Sequence, residues 1–180
     1  MIRGAVRLAL VGAGISYALD RILAEQSKGS PPEPIESMVV IDAPIERVWA
    51  MLADIERQPE WMTEMKSVRV VTPGPIGVGT ECEAQVRILG ITVTDPVTIT
   101  TFDPPMHYAI RHDGSFKGTG SITLESGADL TTTIVRWEER LSPPVLSHLG
   151  ALAMTPALGA IFQADLARFK ELVETDPVTS

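Results

Sequence analysis

The sequence predicts an α+β fold in which a curved antiparallel sheet of about seven strands wraps around one long C-terminal helix. Two observations carry this prediction. Between residues 68 and 141, short β-rich runs, several of them alternating apolar and polar residues, are separated by turns rich in glycine and proline, which is typical of an antiparallel meander. After Pro156, apolar residues recur at helical spacing. Two short helices after the first strand and an apolar helix at the N-terminus complete the predicted architecture.

Composition and charge exclude several functions. The chain has 180 residues, of which 44% are hydrophobic and 21% are charged, as in ordinary globular domains. Its net charge of −8 and the lack of a Lys/Arg stripe argue against nucleic acid as a partner, because an acidic surface repels phosphate backbones. Cys82 is the only cysteine, so no intrachain disulfide can form.

Residues 1–26 are predicted to form an apolar N-terminal helix. Arg3 and Arg7 precede residues 8–19, a run of twelve without a charge. Three interpretations stay open: residues 5–24 bind a membrane or a membrane protein, the segment is a cleaved secretory signal, or the helix packs on its own domain. They correspond to a membrane-associated, a secreted and a cytoplasmic protein. The first is favoured by small residues at a spacing of four, which allow close helix packing in lipid: Ala5, Ala9 and Ala13.

The chain then divides into three further parts. Residues 27–35 are rich in proline, glycine and serine and are predicted to be an extended linker. Residues 36–174 carry the strand and helix patterns and are predicted to form the folded domain. Residues 175–180 form a short tail.

The first elements of the domain are a strand over residues 38–41 and two short helices. Pro44 suits the first turn of a helix, where its missing N–H is not needed. Asp54 is placed to cap a second helix, which bends or stops near Pro59. The first helix has an apolar face: Ile45, Val48, Trp49 and Leu52.

Turn residues separate the strands that follow. A strand over residues 68–71 comes first, and Gly90 reverses the chain between the next two. Pro96 suggests that the second of these is an edge strand or carries a bulge. Asp113 and Gly114 form a hairpin turn before strands over residues 116–125 and 130–141. The clearest alternation gives one strand face to Cys82, Ala84, Val86 and Ile88.

The C-terminal region is helical. Ser142-Pro143 and Thr155-Pro156 both have the form of a helix start, so the pattern allows two helices or one bent helix. The last part has a continuous apolar stripe: Leu158, Ile161, Phe162, Leu166, Phe169, Leu172 and Val173.

Several of these segments resemble one protein family. Asp42–Trp49 (DAPIERVW), Pro59–Trp61 (PEW), Phe102–Pro105 (FDPP) and Asp165–Glu174 (DLARFKELVE) are similar in order and spacing to START-related proteins, the SRPBCC or polyketide cyclase/dehydrase-like group. The resemblance covers residues 36–174. It implies a helix-grip fold with a cavity between the sheet and the long helix, which holds lipids, sterols, quinones, polyketides or similar molecules. It does not imply a reaction, because most branches of this group bind or carry ligands and fewer catalyse.

Motifs for metal, phosphate and nucleophilic chemistry are missing. His107 and His112 are five residues apart on one strand and face opposite sides, so they do not chelate one ion together. The glycine-rich residues 114–120 lack the Lys-Ser/Thr of a phosphate loop, and no GxSxG motif occurs. We expect neither a metal nor a cofactor, and we expect Cys82 to be a buried apolar side chain.

The candidate for acid–base catalysis is Asp165, between two phenylalanines of the helical stripe. If it points into the cavity, burial would raise its pKa. The alternative is an ion pair at the margin of the stripe, with Arg168 or with an arginine of a strand. Strand parity leaves Arg111, Arg136 and Glu138 as either surface charges or polar anchors in the cavity.

Large apolar side chains are the predicted ligand contacts, with plain core packing as the alternative for some. These candidates are Trp61, Val86, Ile88, Tyr108, Ile110, Trp137, Leu158, Phe162 and Phe169. The predicted function is non-catalytic binding or transfer of a small hydrophobic molecule near a membrane. The alternatives are a cyclase, dehydratase or isomerase acting on a polyketide- or steroid-like substrate, and an accessory subunit of a membrane complex with a vestigial cavity.

Overall fold

The computed structural model describes residues 13, 16–25, 33–88, 90–142 and 147–176. The predictions for residues 1–12, for most of the linker, for Pro143 and for the end of the tail lie outside these residues. The elements are α1 (16–25), β1 (Ile35–Ile41), α2 (Ile45–Ala53), a 3₁₀ helix (Ile55–Glu60), β2 (Met65–Val70), β3 (Glu81–Ile88), β4 (Ile91–Asp103), β5 (His107–His112), β6 (Lys117–Ser126), β7 (Thr133–Ser142) and α3 (Ser147–Thr175).

The seven strands form one antiparallel sheet in the order β1-β7-β6-β5-β4-β3-β2. The two short helices connect β1 and β2 at opposite edges, and α3 packs against β1 and β7. The predicted helix-grip fold is confirmed. α3 is one helix with Pro156 inside it rather than two helices.

Alternation along the strands decides which side chains enter the interior. In β7, Thr133, Val135, Trp137 and Glu139 are buried, whereas Arg136 between them is exposed. β7 therefore gives every second residue to the inner face, as a pleated strand must, whereas β2 and β4 each shift register once, between Met65 and Ser67 and between Ile99 and Thr101. The largest fully buried side chains of the core are Trp61 and Phe169.

Pro96 lies inside the sheet, in β4 between β3 and β5. Its carbonyl accepts a hydrogen bond from the Asp113 N–H, so its ring nitrogen faces the same side of the strand, where β5 has already ended at His112. The missing N–H of proline costs no ladder hydrogen bond at this position. β4 is therefore an interior strand that has a free edge at Pro96, where its pairing with β5 has not yet begun.

α1 contacts the domain through a polar residue. Asp20 is 9% exposed, and its Oδ1 accepts hydrogen bonds from the backbone N–H groups of His148 and Leu149, both at 2.9 Å. The carboxylate therefore caps the first turn of α3. Tyr17, Leu19 and Ile22 are 63%, 46% and 49% exposed, so these three side chains do not pack on the domain, whereas Leu23 is half-buried. Among the described residues, no helix combines the length and apolar character that crossing a membrane requires.

Candidate functional site

A cavity lies between the inner face of the sheet, the 3₁₀ helix and the middle of α3. The cavity has a volume of about 130 Å³, measured as the space that the centre of a water-sized sphere can occupy. A single water needs about 10–15 Å³ by this measure, so the space accommodates a small organic molecule. Most side chains of the wall are apolar, as in pockets that bind hydrophobic ligands.

The structure places most of the predicted contact residues in this wall. Ile88 ends β3, and its side chain lies outside the described residues. Phe169 is not in the wall: it is fully buried, with its ring centroid 4.8 Å from that of Trp61. α3 lines the cavity only from Leu158 to Asp165, and its later turns pack in the core. The predicted residues that line the cavity are Trp61, Val86, Tyr108, Ile110, Trp137, Leu158 and Phe162.

Aromatic rings form one side of the wall. Trp137 and Phe162 have centroids 4.6 Å apart at an interplanar angle of 31°, and Trp61 meets Trp137 edge-on at 6.1 Å. The indole Nε1 of Trp61 is buried and has no hydrogen-bond partner among the described residues. Rings that pack at these distances give the cavity a stiff apolar surface.

A buried charged cluster forms another part of the wall. His112 Nδ1 lies 2.6 Å from Asp95 Oδ2, and His112 Nε2 lies 2.8 Å from Glu139 Oε1. Glu139 Oε2 accepts a hydrogen bond from Trp137 Nε1 at 3.0 Å. The side chains of Asp95 and His112 are each 14% exposed, and that of Glu139 is 4% exposed. The other oxygen of Asp95, Oδ1, is buried without a partner among the described residues.

Two glycines make room for this cluster. A Cβ at Gly120 would lie 2.6 Å from Glu139 Oε2 and 3.2 Å from Ile110 Cγ1. A Cβ at Gly114 would collide with Asp95 Oδ1. The absence of a side chain at these two positions lets both carboxylates approach the imidazole ring.

The cluster keeps His112 charged. Burial alone would lower the pKa of His112, but the hydrogen bonds and negative charges of Asp95 and Glu139 outweigh it and raise the pKa to about 10. Both ring nitrogens are then donors, and each has a carboxylate acceptor.

Asp165 lies at a third part of the wall, where α3 meets the chain after the 3₁₀ helix. Its Oδ1 accepts hydrogen bonds from the backbone N–H of Thr63 at 3.1 Å and from the Thr63 hydroxyl at 3.2 Å. Arg168 Nη1 lies 2.7 Å from the same oxygen. Burial raises the pKa of Asp165, while the Thr63 hydrogen bonds and the Arg168 charge act to lower it. Asp165 therefore combines both expectations: it lines the cavity and it pairs with Arg168.

Strand parity places the three ambiguous charges outside the cavity. Arg111 pairs with Asp113 at 2.8 Å, Arg136 lies 3.9 Å from Glu125, and Glu138 lies 3.3 Å from Arg140. All of these are partners on the outer surface. They are not anchors for a cavity ligand.

Two further wall residues have suppressed ionisation. Cys82 is buried, and burial raises the pKa of its thiol. Burial also raises the pKa of Tyr108 far above its usual value, and the Cys82 charge adds to this effect, against a hydrogen bond to Gln58. Neither group is activated as a nucleophile or base. No set of three or more His, Cys, Asp or Glu side chains in the described ranges is arranged to bind a metal ion.

A family model describes this architecture. Residues 34–174 match the family of polyketide cyclases / dehydrases and lipid transport proteins. The chain belongs to this family. No curated protein matches the chain in sequence.

Solved structures of similar fold include one that is named for an activity and others that are named only by superfamily or source. The Zhui aromatase/cyclase from Streptomyces sp. R1128 is 16% identical, with a TM-score of 0.63 over 79% of this chain and 96% of its own. A START superfamily protein from Mycobacterium smegmatis is 14% identical, with a TM-score of 0.55 over 76% of this chain and 99% of its own. A protein from Thermus thermophilus is 19% identical, with a TM-score of 0.63 over 78% of this chain and 96% of its own. At these identities the likeness establishes the shared fold.

The charged cluster was not among the predicted site residues. His112 has the strand parity of Tyr108 and Ile110, and Glu139 has that of Trp137. All three of these neighbours were predicted to face the cavity. Extending the alternation by one step would have placed both charged residues inside. Asp95 carries the same signal, because it has the strand parity of Val93 and Val97, and the residue before a proline favours an extended backbone.

Proposed function

We propose that this family member binds a small hydrophobic molecule in the cavity and does not convert it. The observation that carries the proposal is the cavity of about 130 Å³ with a mainly apolar wall between α3 and the sheet. Burial of apolar ligand surface there would provide most of the binding free energy, at about 25 cal/mol per Å². The aromatic pair Trp137 and Phe162 offers a flat surface for rings or a chain.

The state of the buried ionisable groups in the wall supports binding over acid–base catalysis. A general base needs a lone pair directed at the substrate, and a general acid needs a proton that it releases near neutral pH. Both nitrogens of His112 are engaged by carboxylates, and its pKa of about 10 makes it a weak acid. Asp165 Oδ1 accepts three hydrogen bonds from the protein. His112 and Asp165 Oδ1 are held in these structural contacts, so a cyclase- or dehydratase-type reaction that uses them is the less supported alternative.

We also propose that the N-terminal segment, residues 5–24, holds the domain at a membrane. The supporting observation is the orientation of α1. Its buried Asp20 contacts the domain, whereas Tyr17, Leu19 and Ile22 are exposed. Apolar side chains that face away from the domain are available to the interfacial region of a bilayer. A domain held there would exchange its ligand directly with the lipid phase.

Binding is tested by titrating the full-length protein with 2-methoxynaphthalene, an apolar neutral probe. Trp61 and Trp137 line the cavity, so saturable quenching of tryptophan fluorescence is expected, and calorimetry gives the stoichiometry. Native mass spectrometry of protein purified from its own host should show a bound small molecule. No saturable binding together with no bound mass would contradict the proposed function.

Two phenylalanines on α3 provide a matched pair of variants. Phe162 lines the cavity, whereas Phe169 is buried in the core. Phe162→Ala should weaken probe binding about tenfold, because it removes an aromatic contact to ligand. Phe169→Ala should lower the free energy of unfolding by about 3–5 kcal/mol. Equal losses of stability and affinity in both variants would mean that Phe162 is also plain core.

A further inference from the structure

We propose that the Asp95–His112–Glu139 cluster selects the polar end of the ligand: the cavity takes apolar molecules that end in a neutral or cationic hydrogen-bond donor, such as a hydroxyl group, and rejects those that end in a carboxylate. This inference rests on the proposed ligand-binding function. It concerns a part of the wall that apolar burial alone does not explain.

The cluster has no donor left for a ligand. The imidazolium donates from Nδ1 to Asp95 and from Nε2 to Glu139. The indole N–H of Trp137, next to the imidazole, donates to Glu139 Oε2. Every N–H of the cluster is therefore used within the protein.

Acceptor capacity remains at the same place. Each carboxylate oxygen has two lone pairs, and Asp95 Oδ1 has no hydrogen-bond partner among the described residues. Asp95 and His112 both line the cavity, together with the residues of the turn beside them, Ser115 and Phe116. A buried carboxylate oxygen without a donor is costly, so a ligand hydroxyl that reaches it after a small shift of this turn gains a charge-assisted hydrogen bond.

The charge of the cluster acts in the same direction. Two carboxylates and one imidazolium leave one net negative charge, on side chains that are at most 14% exposed, so water screens this charge weakly. The other buried carboxylate of the wall, Asp165, is paired with Arg168, so this pair adds no net positive charge to the wall. A carboxylate at the end of a ligand would meet like charge and find no donor in the cluster.

Three probes on one ring system separate these effects at pH 7. 2-Naphthol has a donor, 2-methoxynaphthalene has none, and 2-naphthoate has a negative charge. With full-length protein, calorimetry and tryptophan quenching should rank their affinities in that order. We expect 2-naphthol to bind at least about tenfold more tightly than 2-naphthoate, since a single charge repulsion across a partly buried site is of this order.

Asp95→Asn tests the cluster directly, because it removes one negative charge and adds an N–H while keeping the shape of the side chain. The affinity for 2-naphthoate should rise about tenfold, and the preference for 2-naphthol should shrink. Glu139→Gln is the second variant, with the same expected direction. The control is Glu138→Gln, which removes the same charge from the outer face of β7 at the adjacent position and should leave all three affinities unchanged.

The outcomes distinguish this inference from the function on which it rests. Binding of 2-methoxynaphthalene with 2-naphthoate as tight as 2-naphthol would overturn the selectivity and leave the ligand-binding function standing. So would an equal response of 2-naphthoate affinity to Asp95→Asn and to Glu138→Gln. Failure of all three probes to bind the wild-type protein, with no bound mass in protein from the host, would overturn both.

Discussion

His112 is a cation inside an apolar wall, and its charge makes a residue-scale contribution to stability that depends on pH. The unfolded chain releases the imidazole proton near pH 6.5, whereas the folded protein holds it to about pH 10 because two carboxylates flank the ring. A pKa that is raised by folding means that the folded state binds more protons between these two values. This stabilisation is complete below pH 6.5 and is lost as pH rises towards 10.

Chemical unfolding in urea across pH 6 to 10 checks this contribution. The free energy of unfolding should fall with rising pH in the wild-type protein, and this dependence should be much weaker in His112→Gln. His107→Gln is the matched control, because His107 lies in the same strand with its ring hydrogen-bonded to Ser121 instead of to a carboxylate. A wild-type slope retained in His112→Gln would show that other groups cause it.

The sequence predicts residues of the wall to the extent that strand parity and apolarity agree. Trp137 and Tyr108 were found because a large ring on an alternating strand belongs inside. Glu139 has the same parity as Trp137, but its burial depends on an imidazolium contributed by β5, a strand two places away in the sheet. A buried charge is tolerated only with its partners, and sequence spacing does not identify partners that the sheet brings together.

At the scale of elements, two glycines in different settings show how backbone packing constrains substitution. Gly118 in β6 faces the backbone of β7, where an added Cβ would collide with the carbonyl group of Arg140. Gly159 in α3 has room for a side chain, since its Cβ would lie 3.6 Å from Ile35 Cγ2, an ordinary van der Waals contact. One glycine is required by the sheet and the other is not.

Alanine substitution at these two positions should therefore have opposite effects. Gly118→Ala forces β6 and β7 apart and should lower the free energy of unfolding by about 2–3 kcal/mol. Gly159→Ala improves helix propensity without a clash and should raise it by about 0.5–1 kcal/mol. Thermal and urea unfolding measure both. Destabilisation by Gly159→Ala would mean that α3 packs more tightly against β1 than the 3.6 Å contact indicates.

Elements were predictable where the residue pattern is local. β3 was placed correctly from its alternation, and the turn at Gly90 correctly separated it from β4. The setting of Pro96 was not, because whether a proline lies at an edge depends on where the neighbouring strand ends. That information belongs to the pairing of β4 with β5 and to no single strand.

At the scale of the whole molecule, a polar contact at Asp20 joins α1 to the domain. Asp20 caps the first turn of α3 across more than one hundred residues of sequence, with both hydrogen bonds at 2.9 Å. The sequence predicted an apolar helix here but gave no sign of the cap, because Asp20 merely interrupts the apolar run. β1 begins at Ile35, which is buried and paired with Glu139. The folded unit therefore includes Ile35.

A truncated chain of residues 34–176 tests this division of the molecule. It should unfold cooperatively and bind 2-methoxynaphthalene with the affinity of the full chain, because every residue of the cavity wall is retained. Loss of the Asp20 cap should lower its free energy of unfolding by about 1 kcal/mol, and Asp20→Ala in the full chain should cost the same.

The proposed membrane role predicts that the truncated chain also loses its binding to vesicles. The full chain should float with vesicles of neutral phosphatidylcholine equally well in low and high salt, because apolar burial is not screened. The truncated chain should stay in solution, and the full chain carrying Leu19→Ser and Ile22→Ser should float less. An unfolded truncated chain would contradict the domain boundary. If the truncated chain folds but the full chain does not bind vesicles, only the membrane role is contradicted.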